Sequence, residues 1–98
     1  MRKRRRTRLE IIADILSLVK RKRCNITEII YKANLNSERA KRYVNFLLSK
    51  ELMEVKRKSG RSYAITARGV EFLKDYMELK ELERSLLRRL KKIEDFLS

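Results

Sequence analysis

The segment Glu54–Thr66, EVKRKSGRSYAIT, gathers Lys56, Arg57, Lys58 and Arg61 around Gly60, one of only two glycines in the chain. Like charges set this close repel one another, and a polyanion relieves that repulsion because each phosphate contact releases condensed counterions. A second group, Arg39, Lys41, Arg42 and Asn45, lies within two helical turns. Arginine suits the O6 and N7 edge of guanine and asparagine the N6 and N7 edge of adenine. Two further runs are purely basic: the arm that contains Arg4, Arg5 and Arg6, and the cluster Lys20–Arg23. The chemistry these residue types offer is binding to a phosphate backbone, with base contact from a narrower set.

Catalytic and metal chemistry find no comparable support. There is no histidine, and Cys24 is the single cysteine, so neither an internal disulfide nor a zinc or iron–sulfur ligand set can be assembled. No nucleophile–base pair with an orienting group is visible, nor a glycine-rich phosphate loop. The expectation is a protein without catalytic residues, metal or other cofactor, and no small-molecule substrate is evident.

Charge sharpens the choice of partner. Lys and Arg number 27 against 13 Asp and Glu, for a net charge of +14. Heat adaptation raises both signs together, whereas a one-sided excess points to a polyanion. The excess is also localised: residues 1–69 hold 20 basic and 6 acidic side chains, while residues 70–98 hold seven of each. Although Met1–Arg6 is basic, Glu10 and Asp14 interrupt the apolar residues that follow, and no stretch approaches the ~20 apolar residues of a spanning helix. A cytoplasmic protein associated with nucleic acid is expected.

These side chains need elements to position them. Thr7 with Glu10 three residues on forms a capping-box pattern, and Leu9, Ile12, Ile15, Leu16 and Val19 follow at helical spacing, which predicts a first helix over about Arg8–Lys22. A short second helix, capped by Thr27 or Asn25, turns Ile29, Ile30 and Ala33 inward and stops near Asn34. Asn36 caps a third, in which Ala40, Tyr43, Val44, Leu47 and Leu48 make the buried stripe. Its opposite face presents Glu38, Arg39, Arg42, Asn45, Phe46 and Ser49, with Lys41 at the margin. Glu38 is placed to hold Arg42 one turn later, and Phe46 to pack against the hairpin or the last helix. Leu52–Arg57 and Ser62–Ile65 read as two strands joined at Gly60, which can take the positive φ of such a loop.

From Thr66 onward a proline-free stretch predicts one long helix, with Gly69 in its first turn and Leu79, Leu82, Leu86, Leu90, Ile93 and Leu97 recurring every three or four residues. Its charges come in blocks. Glu71–Glu83 carries five acids and two bases, and Arg84–Lys92 five bases and no acid. Parallel helices would set like blocks together; antiparallel helices set acid against base, with the two-fold near Leu82–Leu86. Helix, helix, helix, hairpin, helix is a mostly α order with one β-hairpin, that of a winged helix-turn-helix with an extended last helix. The expected organisation is a basic arm over residues 1–8, a winged-helix domain over 9–69 and a coiled-coil dimerisation helix over 70–98.

LEII at Leu9–Ile12, YKANLN at Tyr31–Asn36, RYVNFLL at Arg42–Leu48 and YAITARGVEFL at Tyr63–Leu73 together resemble the archaeal "ten-a" family of small basic winged-helix proteins, from Leu9 to the end of the chain. The resemblance implies a chromatin-associated homodimer joined by a C-terminal antiparallel coiled coil, with duplex DNA as partner. The expectation is a DNA-binding homodimer acting as a nucleoid architectural protein or a transcription regulator. DNA contacts would come from Arg39, Lys41, Arg42 and Asn45 of the third helix, Lys56, Arg57, Lys58 and Arg61 of the wing, and Arg4, Arg5 and Arg6 of the arm. An RNA-binding or ribosome-associated protein is the alternative of similar charge and size, and a pure assembly module with a solubilising arm is a third.

Overall fold

Each helix starts where a side chain replaces a missing backbone partner. In the computed structural model, which describes residues 5–58 and 60–98, Thr7 caps α1 (Arg8–Arg21) through a complete capping box with Glu10. Asn25, rather than Thr27, caps α2 (Ile26–Lys32), and Glu28 closes a second box. Asn36 caps α3 (Ser37–Ser49). Thr66 caps α4 (Ala67–Leu97), its hydroxyl oxygen accepting from the Gly69 amide while the hydroxyl donates to the Glu51 carbonyl.

The helix ends are equally specific. Asn34 and Glu51 have positive φ, 54° and 59°. The following residues, Leu35 and Leu52, return their amides to the carbonyls of Ile30 and Leu47. Both are Schellman endings, in which a left-handed residue reverses the chain and a buried apolar residue follows. Leu35 and Leu52 are that buried residue in each case. The α2–α3 turn and the α3–hairpin turn are thus the same device used twice.

The strands β1 (Met53–Lys56) and β2 (Ser62–Ile65) pair antiparallel, with Met53 opposite Ile65 and Lys56 opposite Ser62. β1 is shorter than the expected Leu52–Arg57, because Leu52 is spent on the helix ending and Arg57 already belongs to the loop. Gly60 has φ of 98°, the conformation the loop requires. Cys24 adds a pairing the sequence did not announce: its amide and carbonyl bond the Tyr63 carbonyl and amide at 3.1 and 2.8 Å. β2 therefore has a neighbour on both sides, and the hairpin is tied to the α1–α2 connection.

The core lies between the three short helices and the sheet. Ile15, Leu16, Ile29, Leu47 and Met53 are its largest fully enclosed side chains. Every buried side chain among the described residues is apolar, and no buried polar side-chain atom lacks a hydrogen-bond partner there. Cys24 belongs to this core as a free thiol, its pKa raised chiefly by burial.

α4 enters the core by its first turns only, through Gly69 and Leu73, with Phe72 and Tyr76 half-buried. A Cβ on Gly69 would collide with the Leu52 carbonyl oxygen and stand 2.6 Å from Ile65 Cγ1. The helix starts this close to the Schellman turn only because the residue has no side chain. Beyond Lys80 the helix leaves the domain, which gives the molecule extents of 61 × 33 × 20 Å.

Candidate nucleic-acid interface

α3 presents Arg39, Lys41, Arg42 and Asn45 to solvent because Ala40, Val44 and Leu47 hold its other face in the core. Its cations flank the helix on two sides, and each side meets another basic element. On one side a cleft of about 260 Å³ is lined by Lys41 and Asn45 of α3 together with Arg61 and Tyr63 of the hairpin. The Arg61 guanidinium lies over the Tyr63 ring, 5.8 Å from its centroid. On the other side a cleft of about 230 Å³ is lined by Arg39, Arg42, Tyr43 and Phe46 with Arg8 of α1.

Arg8 is the residue that the reading of the sequence passed over. It is the first residue of α1, where a cation runs against the helix dipole, and that mismatch was the available signal. Its guanidinium stacks 4.5 Å above the Phe46 ring centroid, beside Arg42. Phe46 is half-buried against the core and lines a groove with Leu52 and with Phe72 of α4. The expected Glu38–Arg42 pair is not formed among the described residues. α3 offers Arg42 without an internal carboxylate partner.

The wing cations are exposed. Lys56 pairs with Glu54 on the same strand at 2.6 Å, both side chains nearly half exposed. Arg57, Lys58 and Arg61 form no ion pair with the described residues, so the loop carries its charge outward.

The arm divides into different roles. Arg4 lies outside the described residues. Arg5 is exposed. Arg6, expected on DNA, turns inward: it pairs with Asp14 at 2.7 Å and donates to the carbonyls of Ala33 and Asn34, at the end of α2. Its positive charge there complements the carbonyl end of a helix dipole and fastens the arm beside the helix-turn-helix.

Lys20 and Arg21 line a hollow with Val70, Lys74 and Glu78 of α4, on the rod's side of the domain. Among the described residues no group of acidic, cysteine or histidine side chains is arranged to hold a metal ion, and no helix is long and apolar enough to cross a membrane.

Comparison with known proteins agrees with this fold. The family described as winged helix-turn-helix matches residues 5–84. Among solved structures the chain is similar to Sso10a-2, a DNA-binding protein from Sulfolobus solfataricus, with 28% identity and a TM-score of 0.78 over 95% of this chain and 98% of that one. It is also similar to ZitR of Lactococcus lactis, with 16% identity and a TM-score of 0.66 over 94% of this chain and 68% of that one. For the adhesin competence repressor AdcR of Streptococcus pyogenes the figures are 12% and 0.65 over 84% and 64%. At the identities of these last two, the likeness is one of fold. The search of curated proteins gives no match. Because the matched stretch takes in all three short helices, the hairpin and the first half of α4, this chain belongs to the winged helix-turn-helix family.

Proposed function

We propose that the protein binds duplex DNA as a homodimer, with α3 in the major groove, the wing along the flanking backbone and the arm beside them. The observation that carries this reading is the convergence of α3 and the wing on one cleft, where Lys41 and Asn45 stand beside Arg61. A phosphate backbone adjacent to a groove-inserted helix is the ligand that meets both at once. The likeness to Sso10a-2, itself a DNA-binding protein, supports the same partner.

Dimerisation is supported by α4. Leu82 and Leu86 are 68% and 69% exposed, and Leu79, Leu90, Ile93 and Leu97 continue the stripe. An apolar seam of this length on a projecting helix is buried by a second helix of the same kind. The acidic and basic blocks favour an antiparallel arrangement, which places the two heads at opposite ends of a rod.

The large positive excess favours broad phosphate binding, hence an architectural role on chromatin. Arg42 and Asn45 supply the base-reading chemistry a transcription regulator would need. Genome-wide occupancy separates these two: broad coverage supports architecture, a few sharp sites regulation. The partner class itself is tested by competition at matched ionic strength. Duplex DNA should displace a labelled duplex at far lower concentration than single-stranded RNA of equal length. Preference for the RNA would move the protein to the RNA-binding class, and salt-independent or absent binding to both would leave only an assembly module.

A further inference from the structure

No described residue fills the groove between the domain and the foot of α4. It holds about 590 Å³ and is lined by the apolar Leu9, Phe46 and Phe72, by Glu71 and Asp75 of α4, and by the cations Arg8, Lys50 and Arg68. A smaller hollow of about 210 Å³, lined by Leu9, Phe72, Asp75, Tyr76 and Leu79, connects it to the start of the leucine stripe. Stripe and groove form one continuous surface on one side of α4. We propose that the groove is the seat of the last turn of the partner's α4, with the partner's Phe96 as its anchor. This rests on the antiparallel dimer proposed above.

The register follows from the seam. Phe72, Tyr76, Leu79, Glu83, Leu86, Leu90, Ile93 and Leu97 step alternately by four and three residues, the heptad spacing of a coiled-coil core. One antiparallel alignment satisfies all of them: Leu86 opposite Glu83, Leu90 opposite Leu79, Ile93 opposite Tyr76 and Leu97 opposite Phe72. Glu83, the one charge in the seam, already holds Lys80 of its own helix at 3.0 Å.

The flank that borders the groove is sorted by sign. It runs Glu71, Asp75, Glu78, then Leu82 and Ser85, then Arg89, Lys92 and Phe96. In the alignment above, the partner's Arg89 stands level with Lys80 and the partner's Lys92 with Met77, each within one helical turn of Glu78 and Asp75 respectively. The partner's Phe96 passes Asp75 and enters the groove between Phe72 and Phe46. Within one chain Phe96 and Leu97 are 82% and 83% exposed, the most exposed apolar side chains of α4. A parallel pair would stack these residues on their own copies, set acid against acid, and leave the groove open.

The seat has a mechanical consequence. Phe46 belongs to α3, so the partner's Phe96 packs against the helix that carries Arg42 and Asn45. Dimerisation then fixes the angle between each head and the rod.

The test uses the full chain with Asp75→Cys and Phe96→Cys, singly and together, in a glutathione redox buffer. Cys24 stays in place, since it is buried with a raised pKa. The double variant should form a covalent dimer and neither single variant should. Sedimentation distinguishes the ways of failing. Monomeric parent protein overturns the dimer itself, whereas a dimeric parent whose double variant does not cross-link, or whose Phe96→Cys variant cross-links alone, overturns the seat while leaving a dimer. Charge exchange gives a second check without removing the anchor: Asp75→Lys and Lys92→Asp should each raise the dimer dissociation constant several-fold, and their combination should restore it. Absence of rescue contradicts the proposed contact.

Discussion

At the scale of single residues, the backbone sets the strictest demands. Gly69 is held by the Leu52 carbonyl and Ile65, neither of which is a flexible side-chain tip. Gly69→Ala should therefore destabilise the domain by about 1–3 kcal/mol through overpacking, although alanine is the better helix former. Glu51 presents the opposite case: it occupies a left-handed position at a cost that glycine does not bear. Glu51→Gly should stabilise by about 1 kcal/mol, and thermal melting of the two variants should show shifts of opposite sign. From the sequence Gly69 looks like a tolerated helix residue, because its constraint comes from Leu52, far away along the chain. Arg6 was hidden for a related reason. Its partners, Asp14 and the carbonyls of Ala33 and Asn34, meet only once α1 and α2 have packed. The helix caps, by contrast, were legible at Thr7 and Asn36, since a cap and the amide it serves are three residues apart.

At the scale of elements, α3 and the wing are complementary parts of one surface. The stripe Ala40–Val44–Leu47 fixes which face of α3 is exposed, so Arg39, Arg42 and Asn45 could be placed from periodicity alone. What periodicity leaves open is which neighbour each side of α3 meets. Arg61 beside Asn45, and Arg8 beside Arg42, depend on how the hairpin and α1 dock. The hairpin docks where it does partly through Cys24, whose single bridge to Tyr63 leaves no pattern in the sequence. If α3 reads bases, Arg42→Ala and Asn45→Ala should reduce discrimination between DNA sites more than they reduce general affinity, each good bidentate base contact being worth about 1–3 kcal/mol. Binding titrations across a panel of duplexes decide it: a uniform loss on every sequence would make α3 a positioning element only.

At the scale of the whole molecule, the rod of the proposed dimer sets the distance between heads. α4 begins at Ala67 and the proposed two-fold lies between Arg84 and Ser85, so each head starts ~26 Å from the axis at 1.5 Å per residue. Two heads ~50 Å apart do not match the ~34 Å repeat of one groove face along straight B-DNA. Bending the duplex, flexing the rod or bridging two duplexes would each reconcile the spans. Leu82→Glu with Leu86→Glu places charges at the centre of the proposed interface, one in the seam and one on its flank, and should give a folded monomer. That monomer should bind DNA more weakly and should not compact it, because the second head supplies the avidity. Sedimentation reports the mass and single-molecule extension the compaction. A double variant that stays dimeric would refute the interface, and a monomer that compacts DNA like the parent would refute the two-headed mechanism.

The central claim is that the wing and α3 hold a phosphate backbone between them, and salt dependence measures it most directly. Lys56, Arg57, Lys58 and Arg61 should be replaced together by glutamine, and duplex affinity followed against salt concentration beside the parent. Loss of the wing's contacts should flatten the log–log slope by up to ~0.9 for each phosphate no longer neutralised, with weaker binding at low salt. A slope equal to the parent's would mean that the wing does not touch DNA.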